Sequence, residues 1–135
     1  LDIARTAIRK AQDRLGDPSQ QVTWIEDDVT GYAPEQTFDI WHDRAAVHVL
    51  TLEHDRESYL KVLDRALQPG GQAIIATFTD SGPSQCNGLD IVRYSPAALS
   101  KALGPGLRLI ETMKEDHHTA NGGLQQFVYC RFCRS

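Results

Sequence analysis

Long hydrophobic runs are missing from this sequence. The longest apolar stretches, such as Ala73–Ala76, are strand-sized, far short of the roughly 18–20 residues of a membrane span, so no membrane partner is expected. An excess of positive charge is also missing. Fourteen Lys+Arg stand against 18 Asp+Glu, for a net charge of −4, and without a basic stripe no nucleic-acid partner is expected. Cysteine is scarce: Cys86, Cys130 and Cys133 are an odd set that makes no disulfide framework, which fits a reducing, cytoplasmic setting. No repeat, low-complexity stretch or leader pattern occurs. The first residue is Leu1 rather than Met, which reads as a cut or processed start.

What is present is alternation. At 135 residues the chain is one domain-sized unit, 1–135, in which helical periods and short apolar strands follow each other, the pattern of an α/β fold with a mostly parallel sheet. Residues 3–15 place Ile3, Ala4, Ala7, Ile8, Ala11 and Leu15 on one helical face, stopped by Gly16 and Asp17-Pro18. Residues 21–26 and 38–42 read as strands, and 45–52 as partly helical. A second helix is expected over 56–68 with Asp55 as its N-cap, broken by Gln68-Pro69-Gly70-Gly71. The continuous apolar run in 72–79 suits a strand covered on both faces. A loop over 80–94 leads to Ser95-Pro96, an N-cap followed by proline at the first position of a helix ending at Leu103. Residues 107–117 and 124–133 form an antiparallel pair, with Asn121-Gly122 as the hairpin turn.

Several segments together resemble the class I S-adenosylmethionine-dependent methyltransferases. Leu1-Asp2-Ile3-Ala4 before an Ala/Arg-rich helix is similar to the end of that family's second strand and the helix after it. Trp24-Ile25-Glu26-Asp27-Asp28-Val29 resembles the third strand and its acidic tip, and Phe38-Asp39-Ile40-Trp41-His42-Asp43-Arg44 the fourth strand and its exit. Leu67-Gln68-Pro69-Gly70-Gly71 resembles the lead into the fifth strand. The resemblance implies a Rossmann-like methyltransferase sheet, mostly parallel with a C-terminal antiparallel hairpin, lacking the first strand and most of the second. Family order places third, second, first, fourth, fifth, seventh and sixth strands side by side. With the first strand absent, the Phe38 edge is bare. Either 21–26 pairs directly with 38–42, or two chains form a homodimer through that exposed edge.

The resemblance also implies a chemistry. S-adenosylmethionine is the expected cofactor, and a small molecule or a protein side chain the methyl acceptor. Asp2 matches the carboxylate that accepts from the ribose hydroxyls. Asp28 and Val29 match the adenine-binding position, with Asp27 as a competitor for the carboxylate role. His42 and Asp43 lie at a strand's C-terminal lip, where open α/β sheets bind ligands; there His42 is the candidate base. Asp43 pairing with Arg44 or Arg65, and His48 as a satisfied core histidine, are the structural readings of the same residues. Arg93 and Tyr94 are either acceptor contacts or loop anchors. His117, His118, Cys130 and Cys133 make no convincing metal site, because residues three apart on a strand point to opposite faces. No dinucleotide-type glycine turn occurs, so weak or absent cofactor binding by this chain alone is expected. The rival function is a non-catalytic interaction or dimerisation module derived from such an enzyme.

Overall fold

A computed structural model describes residues 1–119 and 122–135. Its centre is a four-stranded sheet formed by β1 (Phe38–Arg44), β2 (Leu67–Phe78), β5 (Leu107–His118) and β6 (Leu124–Arg134), in the order β1-β2-β6-β5. Two short strands, β3 (Gln85–Cys86) and β4 (Leu89–Asp90), pair separately. Three α-helices complete the frame: α1 (Arg5–Leu15), α2 (Glu53–Ala66) and α3 (Pro96–Leu103). The expected α/β class and the closing antiparallel hairpin are present. The parallel part is one pair, β1 with β2, and β6 then pairs antiparallel with both β2 and β5.

Side-chain alternation gives the sheet two unlike faces. Ala73 and Ile75 of β2 and Val128, Cys130 and Phe132 of β6 point to the face covered by α2 and α3. There they meet Tyr59, Leu63, Leu99 and Leu103 in the main core. Full burial of Phe132 contributes about 2–3 kcal/mol. On the opposite face Ala76, Phe78 and Phe127 form a smaller cluster near the C-terminal lip, with Cys86 and Ile91 packed on it. Elsewhere that face is open: Ile40 is 61% exposed and Met113 57%.

Local chemistry explains most boundaries. Ser95 Oγ accepts from Ala98 N–H at 3.2 Å, so α3 starts where its Ser-Pro pair predicts. The α2 N-cap is Leu52, without a side-chain cap; Asp55 lies in the first turn beside Glu53 and favours the helix dipole instead of capping it. Gln68-Pro69-Gly70-Gly71 follows the end of helix α2 at Ala66, as expected of a helix breaker. Leu67 already pairs with Phe38, and the chain then bulges through Gly70, φ 77°, before Gln72 resumes the ladder opposite Ile40. The turn candidate Asn121 lies outside the described residues.

The largest departure is at 21–26, which is not a strand of the sheet. Asp17-Pro18 starts a 3-10 turn over Asp17–Gln21, and the Trp24 indole donates to Ser19 O at 3.0 Å. Only Glu26 makes a bridge, parallel to Asp2. The segment therefore does not slide against 38–42, and β1 remains an edge strand among the described residues. Helix α1 has the expected apolar stripe, yet none of its residues is buried.

At Gly71 an added Cβ would stand 2.7 Å from Leu67 Cδ1, 2.8 Å from Gln68 O and 3.0 Å from Asp39 O, whereas nothing lies within 4 Å of one at Gly106. Gly71→Ala is therefore expected to lower unfolding free energy by ~1–3 kcal/mol through overpacking. Gly106→Ala should change it by less than about 0.5 kcal/mol. Urea melts of the two variants check this; equal midpoints would refute the packing account.

Candidate active site

Strand β1 leaves the sheet at its C-terminal lip, and alternation splits its last residues between the faces. Trp41 and Asp43 point toward α2, while His42 and Arg44 point to the open face. Sequence reasoning grouped His42 with Asp43; the structure does not bring them into one site.

Asp43 is only 5% exposed. Its Oδ1 accepts from Ala46 N–H at 2.8 Å, and its Oδ2 accepts from Val47 N–H at 3.0 Å and from the Tyr59 hydroxyl at 2.7 Å. The Trp41 indole donates to the Tyr59 oxygen at 2.9 Å and meets that ring edge-on. Burial pushes the Asp43 carboxyl above its ordinary value, while Tyr59 and the two N–H groups pull it back down. Burial, and then the Asp43 charge, push the Tyr59 hydroxyl well above its ordinary value. The carboxylate caps the turn at Val47–Val49 and pairs with neither Arg44 nor Arg65 among the described residues. Between them Ala45 takes a left-handed φ of 68°, a conformation L-residues avoid, and donates its N–H to Ala76 O at 2.9 Å.

His42 is exposed on the open face. Two residues on, Arg44 reaches across β2: its Nε donates to the Tyr129 hydroxyl at 3.1 Å, and its guanidinium carbon lies 4.8 Å from the Phe127 ring centre. His48 is fully buried against Phe78, ring centres 5.0 Å apart. It is not the satisfied histidine expected, since neither ring nitrogen has a partner among the described residues. Burial lowers its pKa to about 4.

The other candidates meet at the N-terminal segment. Asp2 N–H donates to Ile25 O at 3.0 Å and Asp2 O accepts from Asp27 N–H at 3.2 Å, which sets Asp2 beside the 26–28 tip. One Asp2 carboxylate oxygen accepts from Ala4 N–H at 2.7 Å. Asp28 Oδ1 accepts from both the N–H and the hydroxyl of Thr30, at 2.8 and 2.7 Å, and these bonds hold its carboxyl below its ordinary value. Asp27 Oδ1 is turned back on Asp28 N–H at 2.8 Å. Val29 packs against the main core and ties this segment to the sheet. Asp2 and Asp28 thus each keep one carboxylate oxygen free of partners among the described residues, a fit for a ribose and an amine donor.

Arg93 anchors the loop by donating to Gly82 O at 3.2 Å, and Tyr94 is buried. Cys130 pairs in register with Ile75 and Cys133 with Gln72, on opposite faces of β6. Two shallow depressions, beside α3 and beside α2, lie at the far end of the sheet from the lip. Sequence reasoning counted Tyr59 only as core and passed over Phe127 and Tyr129. The signal available was the strand parity that puts Phe127 and Tyr129 on one face.

A family model described as "Methyltransferase domain" matches residues 1–75, more than half of the chain. No curated protein matches it. Among solved structures the chain is similar to the N-methyltransferase NodS from Bradyrhizobium japonicum WM9 in complex with S-adenosyl-L-homocysteine. The match has a TM-score of 0.72 at 18% identity, covering 98% of this chain and 64% of that one. It is also similar to the Burkholderia thailandensis 1,6-didemethyltoxoflavin-N1-methyltransferase, solved with bound 1,6-didemethyltoxoflavin and S-adenosylhomocysteine. That match has a TM-score of 0.70 at 17% identity, covering 94% of this chain and 56% of that one. At these identities the likeness establishes the fold, and the chain spans under two-thirds of the length of either protein.

His48 generates a pH prediction. Its folded pKa of about 4 lies below the 6.5 of an unfolded histidine, so its contribution to stability is complete above pH 6.5 and is lost as pH falls toward 4. The loss approaches ~3 kcal/mol. His48→Leu should flatten this part of the stability profile. Parallel wild-type and variant profiles in urea melts from pH 7 to 4 would show that His48 carries none of it.

Proposed function

The chain belongs to the methyltransferase-domain family, and from that premise we propose that it serves S-adenosylmethionine-dependent methyl transfer to a small-molecule acceptor. The observation that carries the reading is the pairing of Asp2 with the 26–28 tip. It sets the segments that carry two carboxylates, Asp2 and Asp28, side by side. Asp2 would accept from the ribose hydroxyls, and Asp28 with the Val29 N–H would hold the adenine edge. When bound, the cofactor supplies an electrophilic methyl on sulfur. The chain's own task is alignment, since an in-line displacement depends mainly on how the two reactants are held. His42, exposed at the lip, would take a proton from an acceptor that must lose one. Asp43 is assigned a positioning role: buried and bonded to Ala46 N–H, Val47 N–H and the Tyr59 hydroxyl, it holds the turn that follows β1. The unbridged cysteines support a reducing, cytoplasmic setting, and among the described residues no helix is long and apolar enough to cross a membrane.

No glycine-rich turn between a strand and a helix occurs among the described residues, so affinity should be modest. Calorimetric titration with S-adenosylhomocysteine is expected to show weak, saturable binding. Asp2→Asn and Asp28→Asn should each weaken it about tenfold, equivalent to ~1.4 kcal/mol. Unchanged affinity in both variants would remove the carboxylates from the cofactor site, and no binding at all would remove the activity from this chain.

A second reading rests on the outer edge of β1, which has no strand partner among the described residues and carries the exposed Ile40. Such an edge is a template for pairing, and the reading is a homodimer joined there. Sedimentation velocity should then show a concentration-dependent dimer that Ile40→Lys abolishes; a monomer at all concentrations would dismiss it.

A further inference from the structure

Arg44, at the lip, has no ion-pair partner among the described residues. Its guanidinium lies over β2 because Ala76, its register partner, is too small to block it, and because Tyr129 lies one strand further across. The Nε–H is used by the Tyr129 hydroxyl, and the flat carbon rests on the Phe127 ring. These two contacts fix the plane of the group, which an exposed arginine normally leaves free. Neither Nη has a partner among the described residues.

The contrast with Arg131, on the same face, is informative. Arg131 is engaged by Glu111 at 2.9 Å and by Gln72 at 3.0 Å. No carboxylate lies within ion-pair distance of Arg44 among the described residues. Asp43 is on the other face and saturated. Glu115 shares the open face through its register with Phe127 but makes no ion pair. The remaining titratable neighbours are His42, two residues away on β1, and His117, edge-on to Phe127 at 6.1 Å. A planar fork of unused N–H donors, held beside the half-buried Tyr129 ring, suits a carboxylate attached to a flat group.

We propose that Arg44, held across Ala76 by Phe127 and Tyr129, recognises the carboxylate of a planar methyl acceptor. The proposal rests on the methyltransferase reading for calling this ligand the acceptor. It adds the acceptor's chemical class and the residue that selects it. A carboxylate reaching the lip has two possible sources, the acceptor and the amino-acid end of the cofactor, and the test separates them.

The probe is benzoate, with benzyl alcohol as its uncharged analogue, added to the full chain and followed by two-dimensional nitrogen–proton NMR. Benzoate should shift the Arg44 Nε–Hε signal and the Phe127 and Tyr129 amides saturably, and benzyl alcohol should not. Arg44→Met should abolish the response. Arg44→Lys, which keeps the charge but not the fork, should weaken it about tenfold, and Tyr129→Phe should weaken it less. Equal response to benzyl alcohol, or an unchanged response in Arg44→Met, would overturn the proposal. Benzoate is expected to bind alongside saturating S-adenosylhomocysteine; competition between them would assign the site to the cofactor's carboxylate and overturn the acceptor assignment. Calorimetry with S-adenosylhomocysteine keeps the two readings apart. Benzoate binding without cofactor binding leaves the anion site and removes its role as an acceptor site. Cofactor binding without benzoate binding removes the anion site alone.

Discussion

The buried carboxylate of Asp43 is the interaction on which the lip depends. Taking an ionised carboxylate out of water costs several kcal/mol. Three donors of about 1.5–3 kcal/mol each offset that: Ala46 N–H, Val47 N–H and the Tyr59 hydroxyl. The raised carboxyl pKa says that burial outweighs the donors. The group therefore adds little net stability and much definition. It joins the strand, the turn after it and helix α2 in one arrangement, and an isosteric apolar side chain would leave two backbone N–H groups and a tyrosine hydroxyl without partners.

That arrangement decides what reaches the open face. Holding Ala46 and Val47 in a capped turn forces the change of direction onto Ala45, which takes a left-handed conformation at about 1–2 kcal/mol. The strand's last residue, Arg44, is thereby kept in register with Ala76 and directed over β2 toward Tyr129. Structural and recognition roles are thus divided by parity between adjacent residues: Asp43 faces the helices and Arg44 faces solvent.

The sequence made the element order and the sheet's C-terminal half legible, because those segments carry strong local signals. Ser95-Pro96 starts α3, the apolar run around Ile75 is a central strand, and Leu107 onward pairs with the chain's end. It misled where partners decide the outcome. Val22 to Glu26 has strand-like alternation, but a strand needs a neighbour, and only Glu26 finds one, in Asp2. Gln68 to Gly71 reads as a breaker and the helix does end before it, but that Leu67 already pairs with Phe38, ahead of a bulge through Gly70, is set by the partner strand. For the candidate site, Asp2, Asp28 and His42 are named from the sequence by resemblance, and their roles are proposals. The separation of Asp43 from His42 was readable from strand parity. The Tyr59 and Tyr129 contacts were not, since they join residues 16 and 85 positions apart.

Helix α2 passes into β2 with no residue between them, and this junction constrains how the gene can vary. Loops absorb insertions and deletions because added residues bulge into solvent; here only the bulge through Gly70 stands near enough to do so. Where that bulge does not take it up, one codon gained between Ala66 and Leu67 would shift β2 by a single position against β1 and β6. With a side-chain period of two, Ala73 and Ile75 would then leave the core and Gln72 and Ile74 would enter it. An added residue is therefore expected to be borne better in the 80–94 segment than at the junction of α2 with β2.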